Sequence, residues 1–383
     1  RHLHDNRKKS TSTTSENTTR TLWQSVNILH FSKFIVFQKE SIDLKYRSFN
    51  SESMLRNVVA IVSGGSSGLG AATASYIVRH GGRVVVADLS SKKDHFMRLA
   101  AAACAEVHLP LTGGGVGTGT GSDGYTIAEG ISCNTDYYPH GSGGDSVGTS
   151  SRSNRSGPLL AFAETDVRDE EDVKNALDLA EEKFGQSVNV AVSCAGICPA
   201  RKTISSKKPA AGSETSSTSL SSPPPPDIRI HSLDEFNDAL QVNTLGTFNL
   251  ARLSAERMAL RKPDAEGLRG CIINTASIAA YEGQTGQVAY AASKGAIVGM
   301  TLPLARDLSK YGIRVMTIAP GLFKTPLLDG LPSTVQEELG RMVPCPSRLG
   351  DPDEFGRLVG SILGNPMLNG EVIRLDGALR MPP

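Results

Sequence analysis

Tyr290 and Lys294 stand four apart, so a helix would carry both side chains on one face. Ser277 lies thirteen residues before Tyr290, directly after the apolar run Cys271–Asn274, which reads as a strand. These three residue types suit the oxidation of a secondary alcohol, in which a base takes the hydroxyl proton while hydride leaves to an acceptor. A free tyrosine ionises near pH 10, so work near neutrality asks for a lowering worth roughly 4 kcal/mol. An ammonium at ~4 Å in a partly shielded site supplies an interaction of about that size. A serine hydroxyl at the substrate oxygen would orient the alcohol and steady its developing negative charge. Singly, the three have ordinary readings as a half-buried core tyrosine, a solvated lysine and a turn serine. Their joint spacing behind a strand is what points to chemistry.

A hydride acceptor needs its own site. The run Val58–Val62 leads into Ser63-Gly64-Gly65-Ser66-Ser67-Gly68-Leu69-Gly70, and a helical pattern begins at Ala71. Glycines let backbone approach a pyrophosphate, and a helix N-terminus offers it free N–H groups and a positive dipole end. Asp88, eighteen residues beyond Gly70 at the end of the next apolar run, completes the pattern. A carboxylate there accepts from a ribose 2′-hydroxyl and repels a 2′-phosphate, which favours NAD over NADP.

Elements to position these residues alternate along the chain. Runs at Val58–Val62, Arg83–Ala87, Leu159–Ala163, Asn189–Ser193, Cys271–Asn274, Ile313–Ile318 and Val372–Leu375 read as buried parallel strands. Helical patterns lie between them. One is capped by Asp169, spaced through Val173, Ala176, Leu177, Ala180 and Phe184, and closed by Gly185. Another opens with a capping box of Ser232 and Glu235. The expected fold is α/β, a Rossmann-type doubly wound parallel sheet of about seven strands in a single domain.

Three stretches are too poor in apolar bulk to join that core. Residues 1–53 lack Met and are rich in Ser, Thr and basic residues, and read either as a transit segment or as sequence outside the mature protein. The acids Asp5, Glu16, Glu40, Asp43 and Glu52 favour the second reading. Residues 112–157 are more than half Gly, Ser or Thr, and residues 203–226 end in four prolines; both are expected to be disordered inserts. Removing all three leaves roughly 250–260 residues, enough for one α/β domain. A net charge of +1 supplies no basic field for nucleic acid, and no apolar run is read as a membrane span. The six cysteines form no C-x-x-C pair and there is no histidine cluster at zinc spacing, so free thiols in a reducing compartment and no metal site are expected.

The glycine spacing G-x-x-x-G-x-G, with the Ser277, Tyr290 and Lys294 set, resembles the short-chain dehydrogenase/reductase family. The resemblance assigns Asp166-Val167 to an adenine contact. It places Cys194-Ala195-Gly196 at the family's N-A-G segment, with Cys in place of Asn. Asn243 matches the family Asn that holds a water in a proton relay, and the bland reading, a buried amide at a helix kink, is compatible with that role. The turn holding Pro320, Gly321, Phe323 and Thr325 would touch nicotinamide, and Tyr290 and Lys294 would also face the cofactor. After it, Leu327, Leu328, Leu331, Val335 and Leu339 form either an apolar lid over a fatty or steroidal substrate or an ordinary core helix.

Ile273–Ser277, Tyr281–Gln284, Gly299–Pro303, Pro346–Pro352 and Asn369–Gly377 narrow the resemblance to a family branch that oxidises 3-hydroxyacyl-CoA. It spans nearly all the core from Val58 to Pro383. It implies an NAD-dependent homotetramer of the mitochondrial matrix with side activity on hydroxysteroids. It also implies a scaffold role in mitochondrial tRNA processing beside a tRNA methyltransferase, although near-neutral charge argues against tight RNA binding by this chain alone. The alternatives are a 3-oxoacyl carrier-protein reductase or sugar/polyol dehydrogenase of the same fold, and a non-catalytic NAD-binding scaffold. Asp88 weighs against the first. The insert 203–226 follows a strand on the ligand side, where Arg201, Lys202, Lys207 and Lys208 could meet CoA phosphates; a solvated linker is the plain alternative. Ala292, Gly295, Ala296 and Gly299 would suit close packing on a symmetry mate or on the chain's own sheet.

Overall fold

The computed structural model describes residues 55–106, 117–120, 126–129, 159–207 and 227–383. The leader 1–53, most of both inserts, Lys208 and Cys133 lie outside them. Strands β1 (Val59–Ser63), β2 (Arg83–Asp88), β5 (Leu160–Glu164), β6 (Val190–Ser193), β9 (Gly270–Thr275), β10 (Ile313–Pro320) and β11 (Val372–Leu375) form a parallel sheet in the order β11-β10-β9-β6-β1-β2-β5. Each lies within two residues of its expected position. The core strands carry apolar residues without alternation because helices cover both faces.

Alternate residues of β1 serve different layers. Ala60 and Val62 join Ile77, Phe355, Val359 and Ile362 beneath helices α1 (Gly68–Arg79) and α9 (Pro352–Gly364). Val59 and Ile61 join Val173, Leu177, Leu250 and Met258 beneath α3 (Glu170–Phe184) and α5 (Gly246–Ala259). Each fully buried side chain of this size contributes about 1.5–3 kcal/mol of transfer free energy. The strand order reverses between β1 and β6, which opens a crevice at the carboxyl ends of those strands.

The remaining elements refine the expectation. The sheet has nine strands rather than seven, because β3 (Gly117–Thr120) and β4 (Thr126–Glu129) pair antiparallel at its edge beyond β5. They fall inside the stretch 112–157, where composition predicts no regular structure. Likewise β7 (Ile204–Lys207), inside the second insert, pairs antiparallel with β8 (Asp227–Ile230). Composition misses both because a short hairpin needs backbone pairing and little apolar bulk. Helix α2 (Lys93–Glu106) follows β2, and α4 (Leu233–Ala239) runs through a π-helical turn, Leu240–Leu245, into α5.

The expected caps are present in part. Asp169 Oδ1 accepts from the N–H groups of Glu171 at 2.7 Å and Asp172 at 3.1 Å, and Gly185 closes α3 at φ 65°. Ser232 accepts from Glu235 N at 3.1 Å, but the Glu235 carboxylate turns to Arg201 at 3.1 Å, so that box is half made. Arg201 is thus paired with Glu235 at the surface.

Helix α6 (Val288–Ser309) is, against expectation, long and apolar enough by length and composition to cross a membrane. Its buried Ala289, Ser293, Lys294, Ile297 and Thr301 instead face the site and sheet, with Thr301 Oγ1 2.7 Å from Thr317 Oγ1 of β10. Pro303 lies inside it. Gly295 and Gly299 face open space, so this small-residue face does not pack on the chain's own sheet. Helices α7 (Pro326–Asp329) and α8 (Ser333–Arg341) bury almost nothing, and Leu327 is 63% exposed. That excludes the core-helix alternative for this segment.

Candidate active site

The glycine-rich turn joins β1 to α1 at the crevice. Gly64 has φ 64°, and a Cβ there would sit 2.7 Å from Ala195 N; one on Gly70 would sit 2.2 Å from Gly64 O. Side chains are thus excluded where the turn folds against the start of α1. Ser67 caps α1 without a side-chain bond, so its side chain satisfies none of the first N–H groups. Ser66 Oγ is buried and has no hydrogen-bond partner among the described residues. Leu69 turns inward against the core. Asp88 Oδ2 accepts from Ser66 N at 3.0 Å and Oδ1 from Leu89 N at 2.9 Å, which fixes the carboxylate beside the turn. Free helix N–H groups, a backbone cradle and a held carboxylate fit the pyrophosphate and ribose of a nicotinamide dinucleotide.

The other proposed cofactor residues gather along the same strand ends. Ser63 O accepts from Cys194 N at 3.0 Å, and Ser63 Oγ from Ala195 N at 3.4 Å. Cys194 replaces the amide of the N-A-G segment with a thiol 3.6 Å from Thr275 Oγ1, and burial pushes it up to about 11, so it stays neutral. Asp166 is held by Arg168, whose Nε donates to both carboxylate oxygens at 3.0 Å and keeps the group below its ordinary value. Val167 is buried against the start of α5, where its carbonyl accepts from Asn249 Nδ2 at 3.0 Å. Gly321, after Pro320, leaves no room for a Cβ beside Asp376, and Phe323 packs its ring on Gly350. Thr325 caps α7 opposite Gly68 of the glycine turn.

Ser277, Tyr290, Lys294 and Asn243 converge beside this crevice. Ser277 caps the short turn Ile278–Ala280 and accepts from Ala279 N at 3.1 Å. Lys294 is buried, donates to Thr275 O at 2.8 Å and lies 5.8 Å from the Tyr290 ring centre. Asn243 is fully buried in the π-turn. Its Oδ1 accepts from Ile197 N at 2.8 Å, and its Nδ2 donates to Ile197 O at 2.8 Å and Ser293 Oγ at 2.9 Å. A Cβ on Gly196 would come 3.1 Å from Asn243 Oδ1 and 3.6 Å from Lys294 Nζ. Gly196 therefore keeps the space between amide and ammonium clear.

The electrostatics correct one expectation. Burial pushes Tyr290 up to about 12, with the Ser277 hydroxyl working against it, and burial likewise holds Lys294 down to about 8. In the protein alone, desolvation dominates, and the phenol keeps its proton at neutral pH. Sequence reading also passes over Ser293, which joins Asn243 to the Tyr290 carbonyl at 2.7 Å, and Thr275, the acceptor for Lys294. Ser293 adjoins Lys294 in sequence; no spacing signal marks it.

A model of the short chain dehydrogenase family matches residues 110–336. The human 3-hydroxyacyl-CoA dehydrogenase type-2 is 50% identical over 286 residues, 74% of this chain and 100% of that protein. The chain belongs to the short-chain dehydrogenase family. Its Bos taurus relative of the same name is 45% identical over 329 residues, covering 86% of this chain and 97% of that protein. A crystal structure of 3-hydroxyacyl-CoA dehydrogenase type-2 from Mycobacterium avium superposes with a TM-score of 0.62 at 31% identity, covering 86% of this chain and 98% of that one. This short-chain dehydrogenase is an oxidoreductase acting on CH–OH groups, and its cofactor class is NAD(P).

Proposed function

We propose that this short-chain dehydrogenase interconverts 3-hydroxyacyl-CoA and 3-oxoacyl-CoA with NAD, and also accepts hydroxysteroids. The observation that carries the reading is the set of buried Ser277, Lys294 and Asn243 with half-buried Tyr290, beside a glycine turn fixed by Asp88. The names of the relatives support the substrate class. NAD, when bound, supplies the hydride acceptor and a positive charge. Ser277 holds the substrate oxygen and Tyr290 carries the proton that leaves or joins it. Lys294 offsets charge on the phenolate, and Asn243 holds the Ile197 segment and Ser293 around them. A protonated Tyr290 suits the acid role in reducing a 3-oxoacyl group.

Asp88 favours NAD because a 2′-phosphate would meet its negative charge, which weighs against the reductase alternative. The exposed apolar side chains Leu327 and Leu331 suit a lid over an acyl or steroid body. The open Gly295 and Gly299 face suits a homotetramer. A mitochondrial location and a tRNA-methyltransferase partner belong to the same reading and rest on the family resemblance. The test is NADH oxidation with acetoacetyl-CoA, with NADPH and Tyr290→Phe alongside. NADH turnover that falls about 10³-fold in the variant is expected. Turnover with NADPH alone would move the reductase ahead.

A further inference from the structure

The segment after Ser277 is held by turn bonds, with Tyr281 N and Glu282 N both donating to Ile278 O at 2.9 Å and Gln284 N to Gln287 Oε1 at 3.1 Å, and by Arg201 N, which donates to Gly286 O at 2.8 Å. After the turn Ile278–Ala280, Tyr281, Gly283 and Thr285 are exposed, and the chain reaches Tyr290 without a regular element before α6. A side chain on such a segment is placed only as well as its backbone is held.

The C-terminus supplies a further hold. Arg374 of β11 grips Glu282 with both guanidinium arms, Nη1 to Oε1 and Nη2 to Oε2, each at 2.9 Å. Its Nε donates to Asp376 at 2.8 Å, its Nη2 reaches Leu379 O at 3.1 Å, and the guanidinium lies 5.2 Å from the Tyr281 ring centre. Arg380 adds contacts to Asp376 at 3.2 Å and Glu282 at 3.5 Å. Gln284 Nε2 donates to Pro382 O at 3.2 Å. Two arginines thus face two acids, and a bidentate guanidinium fixes orientation as well as distance.

The backbone is bent to make this possible. Ala378 has φ 67° and is the only non-glycine residue at positive φ among the described residues; Asp376 Oδ1 secures it by accepting from its N–H at 3.0 Å. L-residues avoid this conformation unless the surroundings enforce it. The bend drives Leu379 into a cluster with Ile278, the neighbour of Ser277, and with Val343 from beyond α8, with Leu322 of the nicotinamide turn packed on it. Gly321 N donates to Leu375 O at 2.9 Å, and Cys345 N donates to Gly377 O at 3.2 Å. One short segment therefore ties together the Ser277 turn, the Pro320–Thr325 turn and the end of the lid.

We propose that Arg374–Pro383 is a clip that positions Ser277, with Arg374 and Glu282 as its positioning residues. The kinetic part rests on the proposed 3-oxoacyl-CoA activity; the structural part does not. The experiment uses the full chain carrying Arg374→Gln, Glu282→Gln, both together, or Arg374→Lys. Reduction of acetoacetyl-CoA, NADH affinity by fluorescence and backbone hydrogen exchange at Ala280, Tyr281 and Glu282 are measured on each. Arg374→Gln and Glu282→Gln should each lower kcat about tenfold or more, with NADH affinity held within twofold and exchange at these amides at least tenfold faster. The double variant should be no worse than either single, and Arg374→Lys should recover part of the loss. Unchanged exchange and kcat in folded variants would overturn the clip. So would a loss of NADH affinity in step with kcat, which marks general damage. If Arg374→Gln does not fold, removal of Arg380–Pro383 makes the same exchange test. Should the parent lack acetoacetyl-CoA turnover, exchange, which needs no substrate, still decides.

Discussion

Lys294 shows how burial sets the working range of a single residue. Its ammonium is held down to about 8 by desolvation, whereas an unfolded lysine keeps its proton to about 10.4. Between those values the folded protein binds fewer protons than the unfolded chain, so stability rises with pH across that window. Lys294→Met lacks this linkage. The parent should gain stability relative to Lys294→Met as pH rises from 8 to 10, read by guanidinium unfolding at each pH. A constant difference would show that the ammonium is not desolvated. Below pH 8 the buried charge is retained despite its cost, which is reasonable for a group serving chemistry rather than packing. The same variant is expected to lose activity by about 10²-fold or more. The residues themselves were legible from type and spacing. Their ionisation was not, because it depends on how far the fold withdraws phenol and ammonium from water.

At the scale of elements, α9 carries a complete capping box. Asp351 Oδ1 accepts from Asp353 N at 2.9 Å, Glu354 returns a bond to Asp351 N at 2.8 Å, and Arg348 clasps Glu354 at 2.7 Å and 3.0 Å. The Arg348 guanidinium holds Glu354 down to about 2. A carboxyl depressed on folding stabilises fully above its unfolded value and loses that contribution as pH falls towards its folded one. Glu354→Gln should therefore cost about 1 kcal/mol at pH 6 and progressively less towards pH 3, measured by urea unfolding. A pH-independent difference would count against the ion pair. Strands were legible because two-sided burial writes continuous apolar runs into the sequence. The β3–β4 and β7–β8 hairpins were not, since backbone pairing at an edge asks little of side-chain type. The segment Leu327–Leu339 was ambiguous for another reason: an amphipathic pattern is the same whether its apolar face meets a core or a cleft.

Across the whole molecule, α6 links the site to the outside. Tyr290 and Lys294 lie towards the crevice, while Gly295 and Gly299 leave the outer face open. If that face joins copies of the chain, Gly299→Phe should lower the assembly's mass in sedimentation equilibrium and leave the monomer's fold intact, because the added ring enters open space. An unchanged mass would place the interface elsewhere. The sequence by itself determined the α/β class, seven parallel strands, the glycine turn with Asp88, and the Ser277, Tyr290 and Lys294 set. All of these are local signals, carried by periodicity, turn chemistry or short spacing. Tertiary structure alone decided that Asn243 brackets Ile197 and Ser293, that Cys194 stays a neutral thiol, and that Arg374 reaches back to Glu282. Those pairings join positions from 46 to 92 residues apart, and nothing in a linear pattern fixes which distant groups the sheet brings within bonding distance.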